Sequence, residues 1–486
     1  MLYAGFCGPS NPSQSAIADA EQLVNWFTEP IQSPFAPVET ALYPTPGTVA
    51  WLVATGVGCR AVFAMGTRAF AVMGTDFIEL FATGTYTVRG TVLQDQYPAT
   101  ISYNGPTGGQ LLVTSGTNAY LFVLSSNAFS TVLTGEATMG GMINSRFLAF
   151  NIVTGRVRAS ALNDGATWDG LVYFQRGQAP DPWQCMIVRA PEIWLFGEQT
   201  FEVWYDAGNF PQPFAPIPGA FGHFGIVSPF AGAIVGDTMT WVSRDRDGAG
   251  RIVAARGFSP QTISNYAVDT ALAGYARAST INDAEVLVYS MEGHQFANFT
   301  FPSGRGTWTH DFSMPGAWHE RGSWIAAEHR FGAWAPRVHG YAFGKHLVGD
   351  RGTGTIAYLD STVGTNADGS VIRRLRIPPP LWASSQQRLV VDQLEVYAEA
   401  GLGLTSGQGS DPQMMLRCSG DGKTWSTERM ASAGKKGEYR KRLRWSRCGA
   451  TDKLFVPEIT VTDPIPWRIA GAEVIGSGFA ARRGAA

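Results

Sequence analysis

Few residues in this 486-residue chain have the types and spacing that chemistry requires. The segment from Asp245 to Gly250 reads Asp-Arg-Asp-Gly-Ala-Gly, a pattern that could bend oxygen ligands around a calcium ion. The segment lacks a third acidic ligand and the closing glutamate of an EF-hand loop, and Asp-Gly is a strong signal for a hairpin turn. We therefore predict a hairpin turn at this position, with no metal.

Two carboxylates, Glu198 and Glu202, lie four residues apart near Trp204. On one face of a strand, such a pair could serve as the two acids of a glycosidase. Two polar positions on a sheet edge or in a turn are the simpler interpretation, since no other motif for catalysis accompanies them. The sequence also contains no phosphate-binding loop, dinucleotide fingerprint or nucleophile elbow. We predict no catalytic residues and no enzymatic activity.

Histidines and cysteines offer no metal site. His294, His310, His319, His329 and His339 are never three to five residues apart, the spacing expected of paired zinc ligands. The five cysteines likewise form no pair at metal-ligand spacing, and their odd, sparse distribution argues against a disulfide framework. We expect structural histidines, reduced thiols from assembly in a reducing cytoplasm, and no cofactor.

One segment has a strong charge imbalance. From Arg417 to Arg447 there are ten basic and three acidic residues, an excess of seven positive charges in a chain whose net charge is −2. The rest of the chain must therefore carry a net charge of −9. Trp425, Tyr439 and Trp445 are interleaved with the basic residues, so the segment could bind an acidic protein surface or a DNA backbone. A solvated face of a sheet is the competing interpretation.

The elements that position these residues are predicted to be short strands. The chain contains 57 glycines and 28 prolines but only 16% charged residues, which argues against a helical bundle and against disorder. Alternating segments such as Ala69–Met73 and Asp76–Phe81 are separated by Gly-Thr pairs at 66/67, 74/75, 84/85 and 90/91. Ser419 to Trp425 is one residue short of an Asp-box, itself a structural turn.

Two further patterns define the organisation. The segments Gly293–Pro302, Thr307–Asp311 and Ala317–Arg321 resemble three strands of a propeller blade, each with a large aromatic residue. No strict period can be counted, so a set of β-sandwiches is the alternative to a propeller. One helix is predicted from Asn265 to Tyr275, capped by Ser264. Pro378-Pro379-Pro380 favours a domain boundary, because three consecutive prolines form a stiff extended element. We predict an all-β fold with a short N-terminal extension (1–40), a β-propeller (41–377) and a C-terminal β-sandwich-like domain (381–486).

These residues resemble a known family along nearly the whole chain. The resemblance lies in Leu23–Pro30 with Ala41–Gly47, in Glu192–Glu198 with Glu202–Tyr205, Pro213-Phe214 and Pro218–Ala220, in Trp241–Asp247 with Gly257–Pro260, in the 293–321 blade, in Val348–Arg351 and in Asp411–Arg417. The family is that of the tail accessory factors of short-tailed bacteriophages, also called packaged-DNA stabilisation proteins or tail nozzles.

The resemblance implies a structural protein of the virion tail, made in the host cytoplasm. Family members form a ring of six copies below the portal and its adaptor, extend the DNA channel, retain the packaged genome and carry tail fibres, spikes or a needle. Double-stranded DNA would pass without sequence readout, and no membrane binding is expected. A tail-associated propeller adhesin, or a glycan depolymerase acting on the host surface, is the alternative.

The charge distribution suggests which part of the chain would face the DNA and which would face another protein. An acidic lumen would repel phosphates, whereas many arginine contacts would hold the DNA too tightly. We therefore expect the basic segment to face another protein, the adaptor or a fibre. Its candidate interface residues are Arg417, Lys435, Lys436, Arg440, Lys441, Arg442 and Arg444.

Overall fold

The computed structural model describes residues 1–15, 17–36, 38–54, 58–175, 179–209, 212–244, 250–314, 316–384 and 387–480. The segment Asp245 to Ala249, for which a hairpin turn is predicted, lies outside the described residues. Five strands precede the main β-structure: β1 (Asn11–Pro12), β2 (Ala20–Val24), β3 (Trp26–Pro30), β4 (Thr40–Pro44) and β5 (Gly47–Val53).

Most of the chain folds into small antiparallel sheets that follow one another in sequence. The first sheet contains β6 (Cys59–Met65), β7 (Arg68–Met73), β8 (Asp76–Leu80) and β9 (Tyr86–Thr91), and the second contains β10 (Thr100–Tyr103), β11 (Gln110–Ser115), β12 (Asn118–Val123) and β13 (Ala128–Leu133). The third contains β14 (Met139–Ile143), β15 (Arg146–Asn151), β16 (Arg156–Ala159) and β17 (Tyr173–Gln175), and the fourth contains β18 (Cys185–Arg189), β19 (Glu192–Phe196), β20 (Phe201–Asp206) and β21 (Phe214–Gly222). The fifth contains β22 (Gly232–Val235), β23 (Thr238–Arg244), β24 (Gly250–Arg256) and β25 (Ser259–Thr262).

Two more sheets complete a ring. The sixth sheet contains β26 (Glu285–Met291), β27 (His294–Phe301), β28 (Gly306–Asp311) and β29 (Trp318–Glu320). A separate hairpin follows, formed by β30 (Ser323–Ile325) and β31 (Arg330–Gly332). The seventh sheet contains β32 (Pro336–Ala342), β33 (Lys345–Asp350) and β34 (Thr355–Asp360), and the early strand β5 is its fourth member. The first strand of each sheet contacts the first strand of the next, and β32 returns to β6. The described residues therefore form a propeller of seven blades.

Local chemistry explains the blades. Gly66 and Gly74 adopt positive φ angles of 54° and 56° in the turns β6–β7 and β7–β8, conformations that favour glycine. Gly90, which the sequence analysis assigned to a turn, lies within β9 instead, and a Cβ atom there would fall 2.1 Å from the Phe129 ring. Aromatic and aliphatic side chains, with Trp194 and Trp241 fully buried among them, fill the space between neighbouring blades.

The helices are few. Helix α1 spans Gly105–Gly108, helix α2 spans Tyr266–Arg277, and a single 3₁₀ turn covers Ala326–Glu328. Asn265, rather than the predicted Ser264, caps α2, since its side chain accepts a hydrogen bond from Val268 N at 3.0 Å. Ser264 instead accepts from Ile252 N and donates to Asp269. The prediction of the helix is confirmed and its cap is corrected.

The remaining strands form a sandwich that is continuous with the propeller. They are β35 (Arg374–Ile377), β36 (Leu381–Trp382), β37 (Leu389–Ala398), β38 (Gln413–Ser419), β39 (Arg429–Ser432), β40 (Leu443–Thr451), β41 (Leu454–Val461) and β42 (Ile469–Ser477). One sheet has the order β3-β4-β42-β37-β40. The other has the order β26-β27-β28-β29-β2-β35-β41-β38-β39, so that β2 connects the sixth blade to the sandwich. A core with Trp26, Trp445 and Trp467 lies between the two.

The all-β fold with a propeller and a C-terminal sandwich is thus as predicted. The predicted boundaries at residues 40 and 377 stay predictions. The structure adds that the N-terminal strands are paired with both units: Val24 in β2 pairs with Glu320 of the sixth blade and with Leu375 of β35. Strands β1, β2 and β3 are therefore part of the sandwich sheets.

Candidate functional site

The predicted basic residues lie on two strands and one loop of the sandwich. Arg417 is on β38, directly opposite Glu458 of the neighbouring strand β41. Its Nε and Nη2 atoms each donate to a Glu458 carboxylate oxygen at 2.6 Å, and the guanidinium carbon lies 4.7 Å from the centre of the Trp425 ring. Because the Glu458 side chain is only 2% exposed, this bidentate pair is mainly a structural contact.

A second bidentate pair forms around Glu395 of β37. Arg442 donates from Nε and Nη2 to the two Glu395 oxygens, both at 2.6 Å, and Arg444 lies opposite Glu395 in the strand register. Leu443 and Trp445 of β40 point into the core, while Arg444 is exposed. The alternation follows from the two-residue period of a strand with one buried face.

The other four candidates are held together by a loop. We call residues 434–441, which connect β39 to β40, the basic loop; it contains Lys435, Lys436, Arg440 and Lys441, all exposed. Gly437 N donates to Gly401 O at 3.1 Å, and Gly401 N donates to Ala433 O at 3.0 Å. A Cβ atom on Gly401, whose φ is +79°, would lie 2.9 Å from Tyr439 N. Close backbone packing therefore fixes the shape of the basic loop.

Fewer unpaired positive charges lie at this site than the sequence suggests. Glu458 and Glu395 neutralise Arg417 and Arg442. Within the ranges that the structure describes, no carboxylate forms an ion pair with the remaining five candidates, Lys435, Lys436, Arg440, Lys441 and Arg444. Exposed side chains of Tyr439 (72%) and Met430 (65%) lie in the same region of the chain. Cations with exposed Tyr and Met suit the contact surface of a protein partner, and cations alone also attract phosphates.

The shortened Asp-box is a turn, as expected. Asp421 accepts backbone hydrogen bonds from Lys423 and Thr424, and the Thr424 hydroxyl, all at 2.7 Å. The backbone N–H groups hold the pKa of Asp421 well below its usual value. The sequence analysis missed a second copy of this Asp-Gly-x-Thr-Trp motif at Asp164, whose carboxylate binds Ala166 N and the Thr167 hydroxyl in the same way.

The two carboxylates considered for glycoside chemistry do not converge. Glu198 lies in the turn between β19 and β20 with its side chain 52% exposed, whereas Glu202 is 1% exposed inside the fourth blade. Trp183 Nε1 donates to Glu202 Oε1 at 2.6 Å. The two residues do not share one strand face, because the first precedes the strand.

The histidines occupy separate structural positions. His294 Nδ1 lies 2.5 Å from Asp311 Oδ2, and this hydrogen bond raises the pKa of His294. Burial lowers the pKa of His310 and of His339 to about 4. His329 is exposed after the 3₁₀ turn. Among the described residues, no group of three or more His, Cys, Asp or Glu side chains is arranged to hold a metal ion.

All five cysteines are free, in agreement with the prediction of reduced thiols. In the part of the chain that the structure covers, no helix has the length and apolar character needed to cross a bilayer.

The central channel of the propeller is small and closed at one mouth. Its interior holds a cavity of about 240 Å³, lined by the first strands of several blades. At the mouth, the loop between β9 and β10 reaches across: Tyr97 stacks on Phe230 with ring centres 5.8 Å apart. Arg60 donates to Tyr97 O at 3.0 Å, and Arg337 donates to Gln96 O at 2.5 Å. Two buried arginines thus hold the loop in the channel.

Comparisons with known proteins agree with this architecture. Residues 22–364 match the family model described as bacteriophage P22 Gp10, beta-propeller, and residues 377–477 match the model described as bacteriophage P22 Gp10, beta-sandwich. No curated protein matches the chain by sequence.

Similar solved structures share little sequence. The N-terminal domain of Nup159 is 11% identical with a TM-score of 0.38, covering 72% of this chain and 98% of that one. PorZ of the type-IX secretion system of Porphyromonas gingivalis is 10% identical with a TM-score of 0.37, covering 80% of this chain and 46% of that one. At such values the likeness supports no conclusion about function.

Proposed function

This chain belongs to the bacteriophage P22 Gp10 family, the tail accessory factors or packaged-DNA stabilisation proteins of short-tailed phages, and from that premise we propose that it forms a nozzle ring in the phage tail. Family membership makes it a phage tail structural protein. In the proposal, six copies lie below the portal and adaptor, extend the DNA channel, retain the packaged genome and anchor fibres or spikes.

The small propeller channel, closed at one mouth, is the observation that best supports the proposed ring. The cavity in the channel has a volume of only about 240 Å³, and Tyr97 and Phe230 close the mouth beside it. Duplex DNA, whose major groove alone is about 12 Å wide, cannot pass through such a space. In the proposed ring, the DNA channel therefore lies between several copies, with each propeller beside the DNA.

The basic loop would serve as a docking site for another tail protein. Its four cations lack acidic partners within the described part of the chain, and close packing against Gly401 presets their positions. A preset loop loses little conformational freedom on binding. Cations lining the lumen would bind phosphates and slow the passage of DNA, so we assign the loop to an acidic surface of the adaptor or a fibre.

The proposal includes no catalytic role. Glu198 and Glu202, the carboxylates considered for glycoside chemistry, do not share a pocket, and Glu202 is engaged with Trp183. The adhesin and depolymerase alternatives gain no specific support from these positions.

A complementation experiment tests the proposed function. Phage particles assembled without this chain are expected to package DNA and then lose it, whereas particles supplied with the chain retain DNA and infect. DNA retention is measured as nuclease-protected genome per purified particle. Stable, DNA-filled particles in the absence of the chain would contradict the retention role.

A further inference from the structure

The outer strands of the first two blades, β9 and β13, expose no charged side chain. Every exposed side chain between residues 58 and 135, in the first two blades, is uncharged, and ten of these residues are threonines. Three large apolar residues are also exposed there: Phe81 (38%), Val88 (50%) and Leu93 (49%). We call the exposed side chains of these two outer strands the neutral face; they are Thr87, Val88, Thr91, Ala128, Ser130 and Thr131. A protein surface that stays in water normally carries charges of both signs, so this composition needs an explanation.

Five of the six charged residues of this stretch form ion pairs inside the two blades, and the sixth, Asp76, is half-buried. The six are Arg60, Arg68, Asp76, Glu79, Arg89 and Asp95, and none is exposed. Arg68 and Arg89 bind the same buried carboxylate, Glu79, at 2.7 and 2.6 Å, and Arg60 pairs with Asp95. These contacts satisfy the charges inside the two blades. The solvent-facing layer that remains is hydroxyl, amide and aliphatic.

The outer strands of these two blades also present open edges. β9 and β13 are the last strands of their sheets, and no other described strand pairs with their outer sides. They lie side by side, since Phe129 of β13 packs over Gly90 of β9. Proteins that remain in solution protect such edges with charges or prolines, as β21 does with Pro216 and Pro218. Neither β9 nor β13 contains a proline, and Arg89, the one charged residue in these two strands, is paired with Glu79.

We propose that the neutral face is the surface on which a second copy of this chain packs in the assembled tail. This inference rests on the ring proposed above. Identical copies carry identical charges, with a net charge of −9 outside the Arg417–Arg447 segment, so charged faces of two copies repel unless their charges are matched. A face without charges avoids that repulsion and loses little hydration when it is buried. The basic loop, in contrast, suits a partner of opposite charge.

Site-specific photo-crosslinking identifies the occupant. A benzoylphenylalanine residue at Thr131 on β13 is expected to crosslink to another copy of the same chain in purified tails. The matched control places the same residue at Thr262, which is exposed on the outer strand β25 of the fifth blade. Crosslinks to a different tail protein from position 131, or no crosslink at all, would overturn the inference.

Charge insertion provides the second readout. Thr131→Lys and Thr131→Glu should each lower the number of copies per tail by about tenfold. This corresponds to a loss of roughly 1.4 kcal/mol in the binding free energy between two copies. Thr262→Lys should leave it unchanged, and all variants should melt at the temperature of the unchanged chain. Equal incorporation of the Thr131 variants would overturn the inference while leaving the ring intact. If the unchanged chain is not found in the tail, the proposed function itself fails.

Discussion

The guanidinium of Arg376 in β35 lies 2.8 Å from the Glu21 carboxylate in β2, and this ion pair joins the sandwich to the N-terminal segment. Arg376 is fully buried and also donates to Phe6 O and Gly5 O, both at 2.6 Å. The same segment continues to the sixth blade, where Ser10 N donates to Trp318 O at 2.7 Å. One arginine therefore organises the segment that connects the propeller to the sandwich.

Replacing Arg376 should uncouple the two units. Arg376→Met removes the hydrogen bonds from this side chain to Glu21 and to four backbone carbonyls in a buried site, and we expect a loss of about 3–5 kcal/mol in the free energy of unfolding. Calorimetry should then resolve separate transitions for the two units. The control is Arg388→Met, whose ion pair with Asp452 is exposed and worth at most about 1 kcal/mol. Equal effects of the two changes would contradict this account.

Removing the charges of the basic loop should weaken docking and leave folding unchanged. Each of the four cations is expected to form one exposed ion pair with the partner protein, worth about 0.4 kcal/mol. Changing Lys435, Lys436, Arg440 and Lys441 together to Gln should therefore lower the affinity for that partner roughly tenfold. The measurement is incorporation of the variant chain into tails. Docking of the unchanged chain should also weaken as salt rises, because screening shortens the range of these charges.

The control for the basic loop is the pair of exposed lysines Lys423 and Lys453, changed to Gln in the same way. We expect normal incorporation of this variant. If the loop variant docks normally but releases its DNA faster or binds duplex DNA less tightly, the loop contacts DNA and not a protein.

Acid should destabilise the chain through its buried histidines. Burial lowers the folded pKa of His310 and His339 to about 4, below the ordinary value of 6.5, so the unfolded chain binds more protons between these two pH values. The stability due to their neutral forms is present above pH 6.5 and declines as the pH falls towards 4. His310→Gln should flatten the fall of the melting temperature over this range.

Two other histidines act as references for that measurement. His294, whose pKa is raised by Asp311, contributes stability that is present below pH 6.5 and is lost as the pH rises through its folded pKa. His329 is exposed, and His329→Asn suits its positive φ of 51°. An unchanged pH slope in His310→Gln, or an equal change in His329→Asn, would refute the assignment to His310.

A single added methyl group should disturb the contact between the first two blades. Gly90→Ala places a Cβ atom 2.1 Å from the Phe129 ring, which is stacked on Phe77 and Tyr120 and has little freedom to move. We expect a loss of about 1–3 kcal/mol, read from denaturant unfolding. Gly66→Asn is the control: its Cβ meets open space and Asn tolerates a φ of 54°, so unfolding should change by less than about 0.5 kcal/mol.

Local features of the fold could be predicted from the sequence. The strands 69–73 and 76–81 follow from alternating segments between turn signals, and the structure has β7 at Arg68–Met73 and β8 at Asp76–Leu80. Helix α2 was also evident from its apolar face. These elements are set by residues that are neighbours in the chain, so their patterns are visible without the fold.

Long-range pairings could not be predicted. β5 closes the seventh blade by pairing Val53 with Thr355, and β2 pairs Gln22 with Ile377. The sequence around each strand gives no indication of either pairing. The partners of the basic site were hidden for the same reason. Glu458 is 41 residues from Arg417 in the chain, and only the sheet register places the two side by side. The charge of the segment was therefore counted correctly but its neutralisation was missed.

Electron cryo-microscopy of the phage tail tests the central claim most directly. A gold-binding tag on the C-terminus of this chain locates each copy, and the propeller channels can be traced in the density. We predict several tagged copies around the tail axis below the adaptor, with DNA passing between the copies and every propeller channel empty of it. Tags found only on peripheral appendages, or DNA running through a propeller channel, would contradict the account.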